Sequence, residues 1–186
     1  MNTTRNRSTR FGRWNSTTVQ VLAVALLAVA LAGSASAQDD DALEFRGGIG
    51  VIPVTGVANG TVSLNVVRGV LPGAPWRIAA LEAQVRPDGR IKVVGRGLLL
   101  ASGNGMGTNA GQSVHATLFC GPAASATAHN STLAGVALQP DGSFRIDDVL
   151  TPLPPTLCAT PVLLIRNVGG VWFAAGILKL DEGHVE

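Results

Sequence analysis

Residues 81–94 read LEAQVRPDGRIKVV, and residues 135–150 read GVALQPDGSFRIDDVL. In the first stretch Leu81, Ala83 and Val85 alternate with Glu82, Gln84 and Arg86, the period-two pattern of a strand with one face in a core. Pro87-Asp88-Gly89 then predicts a tight turn. Proline presets φ for the second turn position, and glycine takes the left-handed position of a bulged hairpin. That geometry sets Val85 opposite Ile91 and Ala83 opposite Val93, apolar on apolar. The second stretch repeats the device at Pro140-Asp141-Gly142, which would set Leu138 opposite Phe144 and Val136 opposite Ile146. Two copies are too few for a repeat array, which needs about three units, so they are expected to form two corners of one domain.

Working outward, SGNGMGTNAGQS (102–113) contains G-x-G-x-G, but the alternating SVHATLFC (113–120) that follows is a strand, not the helix a phosphate-binding glycine loop must open. It is expected to be a flexible loop. In the strand, Val114, Ala116, Leu118 and Cys120 share one face; His115, Thr117 and Phe119 share the other. TPVLLIRN and VWFAAGILKL flank Gly169-Gly170 as a hairpin of central strands covered on both faces. Upstream, Phe45–Val54 and Thr61–Val70 are expected to be two more strands, before Pro72-Gly73-Ala74-Pro75 breaks the chain. No sustained 3.6-residue pattern occurs outside the N-terminal leader. The fold class expected is therefore all-β: a single antiparallel β-sandwich of about eight or nine strands, immunoglobulin-like in kind.

Residues 1–37 have the form of a cleaved signal peptide. Arg5, Arg7, Arg10 and Arg13 precede the apolar VQVLAVALLAVALA, and Ala35-Ser36-Ala37 is a small-x-small cleavage site. The apolar run is short for a span of about 20 residues. No cysteine follows the site and no two arginines are adjacent, so neither a lipid attached there nor a twin-arginine leader is expected. The expected organisation is signal 1–37, acidic linker 38–44, one β domain 45–180 and a polar tail 181–186. The full chain has 14 basic and 12 acidic residues. Four of the arginines belong to the leader, so the remainder carries a net charge of −2, and no nucleic-acid surface or stable membrane insertion is expected of it. The excess of arginine over lysine and the Ala/Gly/Val bias point to a GC-rich bacterial source, in which the sequons at Asn59 and Asn130 would have no use. The expected location is secreted or periplasmic.

Cys120 and Cys158 are the two cysteines of the chain. In an oxidising compartment they are expected to pair and close a loop that contains the second turn and ends in a proline-rich stretch. A metal site needs three or four convergent nitrogen or sulfur ligands. His115 and His129 are the weak candidates, since His184 lies on the tail, and no metal or other cofactor is expected. No G-x-S-x-G occurs, nothing selects a carboxylate pair, and no catalytic residue can be named. Trp76 and Trp172 could serve as contact anchors. Arg86 and Arg90 face each other across the first turn and could meet an anionic partner.

RGVLPGAPWRI, RPDGRIKVVGRGLLL, SVHATLFCG, TLCATPVLLIRN and GGVWFAAG, together spanning most of 68–176, resemble segments of a group of uncharacterised exported bacterial proteins. The chain is more remotely similar to CHRD-type domains, which are secreted β-sandwiches, although it has one histidine, His115, where their strand motif has two. DGSFRIDDVLTPLPP resembles the turn and proline stretch of prealbumin-like domains. The resemblance implies an exported β-sandwich and no particular activity. The expected function is a non-catalytic binding or envelope-associated module with a protein or glycan partner. The alternatives are a metal-dependent or redox enzyme built around His115, and a structural subunit that associates by strand edges.

Overall fold

The computed structural model describes residues 42–53, 56–58, 61–63 and 65–180. The leader, most of the acidic linker, the Asn59 sequon and the polar tail with His184 lie outside them. Among the described residues there are thirteen strands and no helix. In chain order they are β1 (Leu43–Gly50), β2 (Gly56–Ala58), β3 (Thr61–Ser63), β4 (Trp76–Arg77), β5 (Ala80–Val85), β6 (Arg90–Arg96) and β7 (Leu99–Leu100). Then follow β8 (Ser113–Cys120), β9 (Thr127–Asn130), β10 (Val136–Ala137), β11 (Phe144–Val149), β12 (Val162–Asn167) and β13 (Trp172–Leu178). β1 begins inside the stretch read as linker, where Glu44 accepts a hydrogen bond from Lys179 at 3.1 Å.

The main sheet runs β10-β8-β12-β13-β1-β5-β6-β11, with β9 also on β8. Every pairing in it is antiparallel. Its two ends meet. The N–H of Gln139, past β10, donates to Ser143 O, before β11, at 2.9 Å. Asn130 exchanges backbone hydrogen bonds of 2.9 and 2.8 Å with Thr151, just beyond β11. Asp148 of β11 accepts the Thr132 N–H at 2.7 Å. The sheet is therefore nearly barrel-like, which corrects the expected two-sheet sandwich. Alternation along a strand says that one face is buried; it does not say whether the facing wall is a second sheet or the same sheet curled round. Two short pairs, β2–β3 and β4–β7, stand apart from it.

The first turn forms as its sequence requires. Val85 pairs with Ile91 and Ala83 with Val93, and Gly89 has φ +81°. The second turn closes at its tip but its arms diverge, which corrects the expected pairing. Phe144 lies opposite Gly95 and Ile146 opposite Val93, while Val136 pairs with Val114 of β8. Glycine explains the choice: the Phe144 ring fills the space that a Cβ on Gly95 would occupy. β12 and β13 form the expected central hairpin, closed by Asn167 N–H to Val171 O at 3.0 Å.

The expected strand Thr61–Val70 is cut short. β3 ends at Ser63, and Val67 and Val70 bracket a tight turn with positive φ at Arg68 and Gly69. This segment crosses the outside of β12. The Trp172 indole N–H donates to Asn65 O at 3.1 Å near one end, and Arg68 Nη2 donates to Thr160 O at 2.8 Å near the other. Inside the barrel Phe45, Leu81, Ile91, Leu118, Leu163 and Ile165 are fully buried. Leu164 and Thr117 are equally buried although they face outward, so this part of the wall is covered on both sides. The glycine loop is a loop, but it is tied down. Asn109 Nδ2 donates to Leu138 O at 2.9 Å, and Leu100 N–H donates to Thr108 O at 2.9 Å.

Candidate functional site

Alternation on β8 sends its two sets of side chains to opposite sides of the wall. His115 and Thr117 face outward, and Arg166 of β12 lies directly opposite His115. Arg166 is half-buried. Nε and Nη2 donate to Gly170 O at 3.1 and 2.8 Å, and Nη1 donates to Thr117 Oγ1 at 3.3 Å. The Thr117 hydroxyl in turn donates to Asn130 Oδ1 at 2.8 Å. His115 is buried, and neither ring nitrogen has a hydrogen-bond partner. Burial, with the Arg166 charge adding to it, pulls the imidazole down to about pKa 4. At neutral pH this row is an uncharged ring beside a guanidinium held by carbonyl and hydroxyl oxygens.

His129 belongs to the other side. It pairs with Leu118 on β9, so its ring faces the barrel interior, near the end of the barrel that holds the cysteines. The sites of His115 and His129 are thus separated by the sheet itself. The two weak metal candidates therefore do not converge, and among the described residues no three His, Cys, Asp or Glu side chains gather as a metal-binding set. The His129 ring is fixed by Nδ1, 2.7 Å from Pro152 O. A carbonyl can only accept, so Nδ1 carries a proton. Nε2 is buried and has no partner.

The cleft in front of this ring has a volume of about 360 Å³ and is lined by Cys120, Gly121, Thr127, His129, Leu153, Pro155, Leu157 and Ala159. Its floor is the end of β8 and β9; its lip is the proline-rich stretch. That lip is held at both ends. Leu150 N–H donates to Gly89 O at 2.9 Å on one side. On the other, Cys158 is bonded to Cys120 with their Cα atoms 4.9 Å apart, and Gly121 N–H donates to Ala159 O at 2.7 Å. The disulfide expected from the sequence is therefore present, and it frames the cleft. Leu153 and Leu157 project from the lip at 60% and 86% exposure. Nothing in the local sequence marks His129 as a strand residue; its pairing with Leu118 shows that it is one and that it faces inward.

Other expected contact residues are placed elsewhere. Trp76 and Trp172 are buried, which removes them as surface anchors. Trp76 stacks on Phe173 with ring centroids 4.1 Å apart, and the Trp172 indole is spent on Asn65. Arg86 and Arg90 do face each other, with Arg86 N–H donating to Arg90 O at 2.9 Å. Arg90 is paired with Asp88 at 3.4 Å and Arg86 is likewise engaged, so this turn is not a pair of free cations. A second cleft of about 360 Å³, over β1, β5 and β6, is lined by Glu44, Arg46, Glu82, Gln84 and Lys92 among others. Its Glu44 is paired with Arg46 at 3.4 Å and with Lys179 at 3.1 Å, which leaves a solvated polar surface. The cleft at the disulfide differs in being lined by no charged side chain and rimmed by protruding apolar ones. Comparison with protein-family models, with curated proteins and with solved structures finds no match for the chain.

Proposed function

We propose that this chain is an exported, non-catalytic binding module whose ligand site is the disulfide-framed cleft at the end of the barrel. The observation that carries the reading is the cleft itself, framed by the disulfide, lined by no charged side chain and rimmed by the exposed Leu153 and Leu157. Concave apolar sites with a few placed polar groups are where small ligands bind. The lining favours recognition over chemistry: it offers a threonine hydroxyl and apolar side chains, with no carboxylate to orient a base. Export rests on the leader, and the disulfide is in keeping with an oxidising compartment. A subunit that associates by strand edges has less support, because the two ends of the main sheet meet.

Two measurements test this. Intact mass of protein produced from the full sequence should correspond to a chain starting at Gln38 and lacking two hydrogens. Retention of residues 1–37, or free thiols, would count against export. An amide-NMR screen with a library of small neutral compounds should give saturable shifts at Cys120, Thr127, His129 and Leu157. A library that shifts only residues elsewhere, or none, rules out this cleft as the binding site.

A further inference from the structure

We propose a second binding site, for a small tetrahedral oxyanion, in the hollow that Gln84, Arg86, Arg90, Lys92 and Asp147 line on the outer face of β5, β6 and β11. It goes beyond the reading of the disulfide-framed cleft and does not depend on it. Strand register builds the hollow. Gln84 of β5, Lys92 of β6 and Asp147 of β11 are cross-strand partners in one row. Each follows a buried neighbour, so all three side chains leave the sheet on its outer side. Arg90 stands two residues before Lys92 on the same face of β6. Arg86 N–H donates to Arg90 O at 2.9 Å, which sets Arg86 alongside it. Opposed residues, and residues two apart on one strand, lie within about 8 Å of each other. The turn at Pro87-Asp88-Gly89 therefore gathers three cations round one hollow of about 240 Å³.

Charge decides the class of ligand. Among the described residues Lys92 makes no ion pair. Arg90 meets Asp88 through Nε at 3.4 Å, with both side chains largely exposed, a loose and solvated contact. Arg86 is already engaged and contributes its charge to the wall, so the anchors are Arg90 and Lys92. Asp147 is the one carboxylate in the lining, and Arg145 draws it at 3.6 Å. The lining thus sets three positive charges against one negative. Like charges opposed on paired strands repel each other. An oxyanion placed among them relieves that repulsion and accepts charge-assisted hydrogen bonds from guanidinium and ammonium, and one more from the Gln84 amide. A cation is repelled there. A long polyanion is disfavoured too, because Glu44 and Glu82 line the neighbouring cleft. What fits is one anionic centre, free or carried as an ester whose substituent leaves through the open side.

Amide NMR at pH 8, where phosphate is largely a dianion, tests the site, with sodium chloride holding the ionic strength constant. Inorganic phosphate should give saturable shifts at Gln84, Arg86, Arg90 and Lys92. Lys92→Gln and Arg90→Gln should each weaken its binding about tenfold. Asp147→Asn removes the repelling charge and should tighten it about threefold, a direction that damage to the fold would not produce. Arg77→Gln alters an exposed cation outside the hollow and should leave the affinity unchanged. Methyl phosphate separates the two sources of the anion. Binding as tight as that of phosphate assigns an ester, binding about tenfold weaker assigns the free ion, and either supports the site. Shifts that never saturate, or that Arg77→Gln reduces as much as Lys92→Gln does, mean general screening of surface charge and overturn the site. The absence of any shift at these residues overturns it as well. None of these outcomes bears on the disulfide-framed cleft, which the compound library tests separately.

Discussion

His115 and His129 show how far one side chain's role depends on which side of a wall it faces. His115 is buried neutral, with a pKa of about 4 against an ordinary value of 6.5. A histidine pulled down in the folded state binds fewer protons there than in the unfolded chain. Its stabilising effect is complete above about pH 6.5 and is lost as pH falls towards 4. The shift corresponds to about 3 kcal/mol at full titration. Urea unfolding at a series of pH values should show this decline between pH 6.5 and 4, and His115→Phe should flatten it. A wild-type curve that stays level across that window would show that the ring is not held neutral by burial. Asp148 acts in a lower window. The Thr132 N–H, ahead of a second bond from Val149 N–H, holds its carboxyl below the usual range, so what it contributes is present above about pH 4 and lost below. Asp148→Ala removes the acceptor at the closing seam and should cost about 1–2 kcal/mol in urea unfolding at pH 7.

At the scale of elements, the two Pro-Asp-Gly turns are alike in sequence and unlike in surroundings. Both glycines have positive φ, +81° at Gly89 and +77° at Gly142. A Cβ on Gly89 would press on the end of the Leu153 side chain, which can move. A Cβ on Gly142 would lie 2.5–2.8 Å from the backbone of Leu98, which cannot. Gly89→Ala should therefore cost about 1–2 kcal/mol, and Gly142→Ala more than that, about 3 kcal/mol, in matched urea unfolding curves. Equal costs would mean that the second turn is not pinned against Leu98. The first hairpin was legible down to its register, because proline, glycine and the apolar alternation all agree within 14 residues. The second misled because the same local signals cannot report Gly95, which lies more than 40 residues earlier and offers Phe144 a bare strip of strand.

For the whole molecule, the Cys120–Cys158 bond closes a loop with a sequence separation of 38. Chain entropy assigns such a loop about 4 kcal/mol. The double variant Cys120→Ser, Cys158→Ser should unfold at correspondingly lower urea concentration and should also bind cleft ligands more weakly, since the bond holds one end of the rim. Loss of stability with unchanged binding would separate the staple from the site.

Strand content, the first turn, the inward set of β8 and the pairing of the cysteines follow from the sequence by itself, because each depends on neighbours within a strand or a turn, or on there being two cysteines to pair. The tertiary structure alone decided the rest. Asn130 meets Thr151 and Asp148 meets Thr132 across the seam, which makes the sheet a near-barrel and not a sandwich. The segment carrying Asn65 and Arg68 crosses the outside of β12 and covers the second face its apolar run calls for. His129 faces inward because Leu118 of β8 is its partner, and it comes to line the cleft beside the proline-rich stretch, where Pro152 takes its Nδ1. Each of these contacts joins residues far apart in the chain, and pattern within a segment carries no information about which distant segment will come to lie against it.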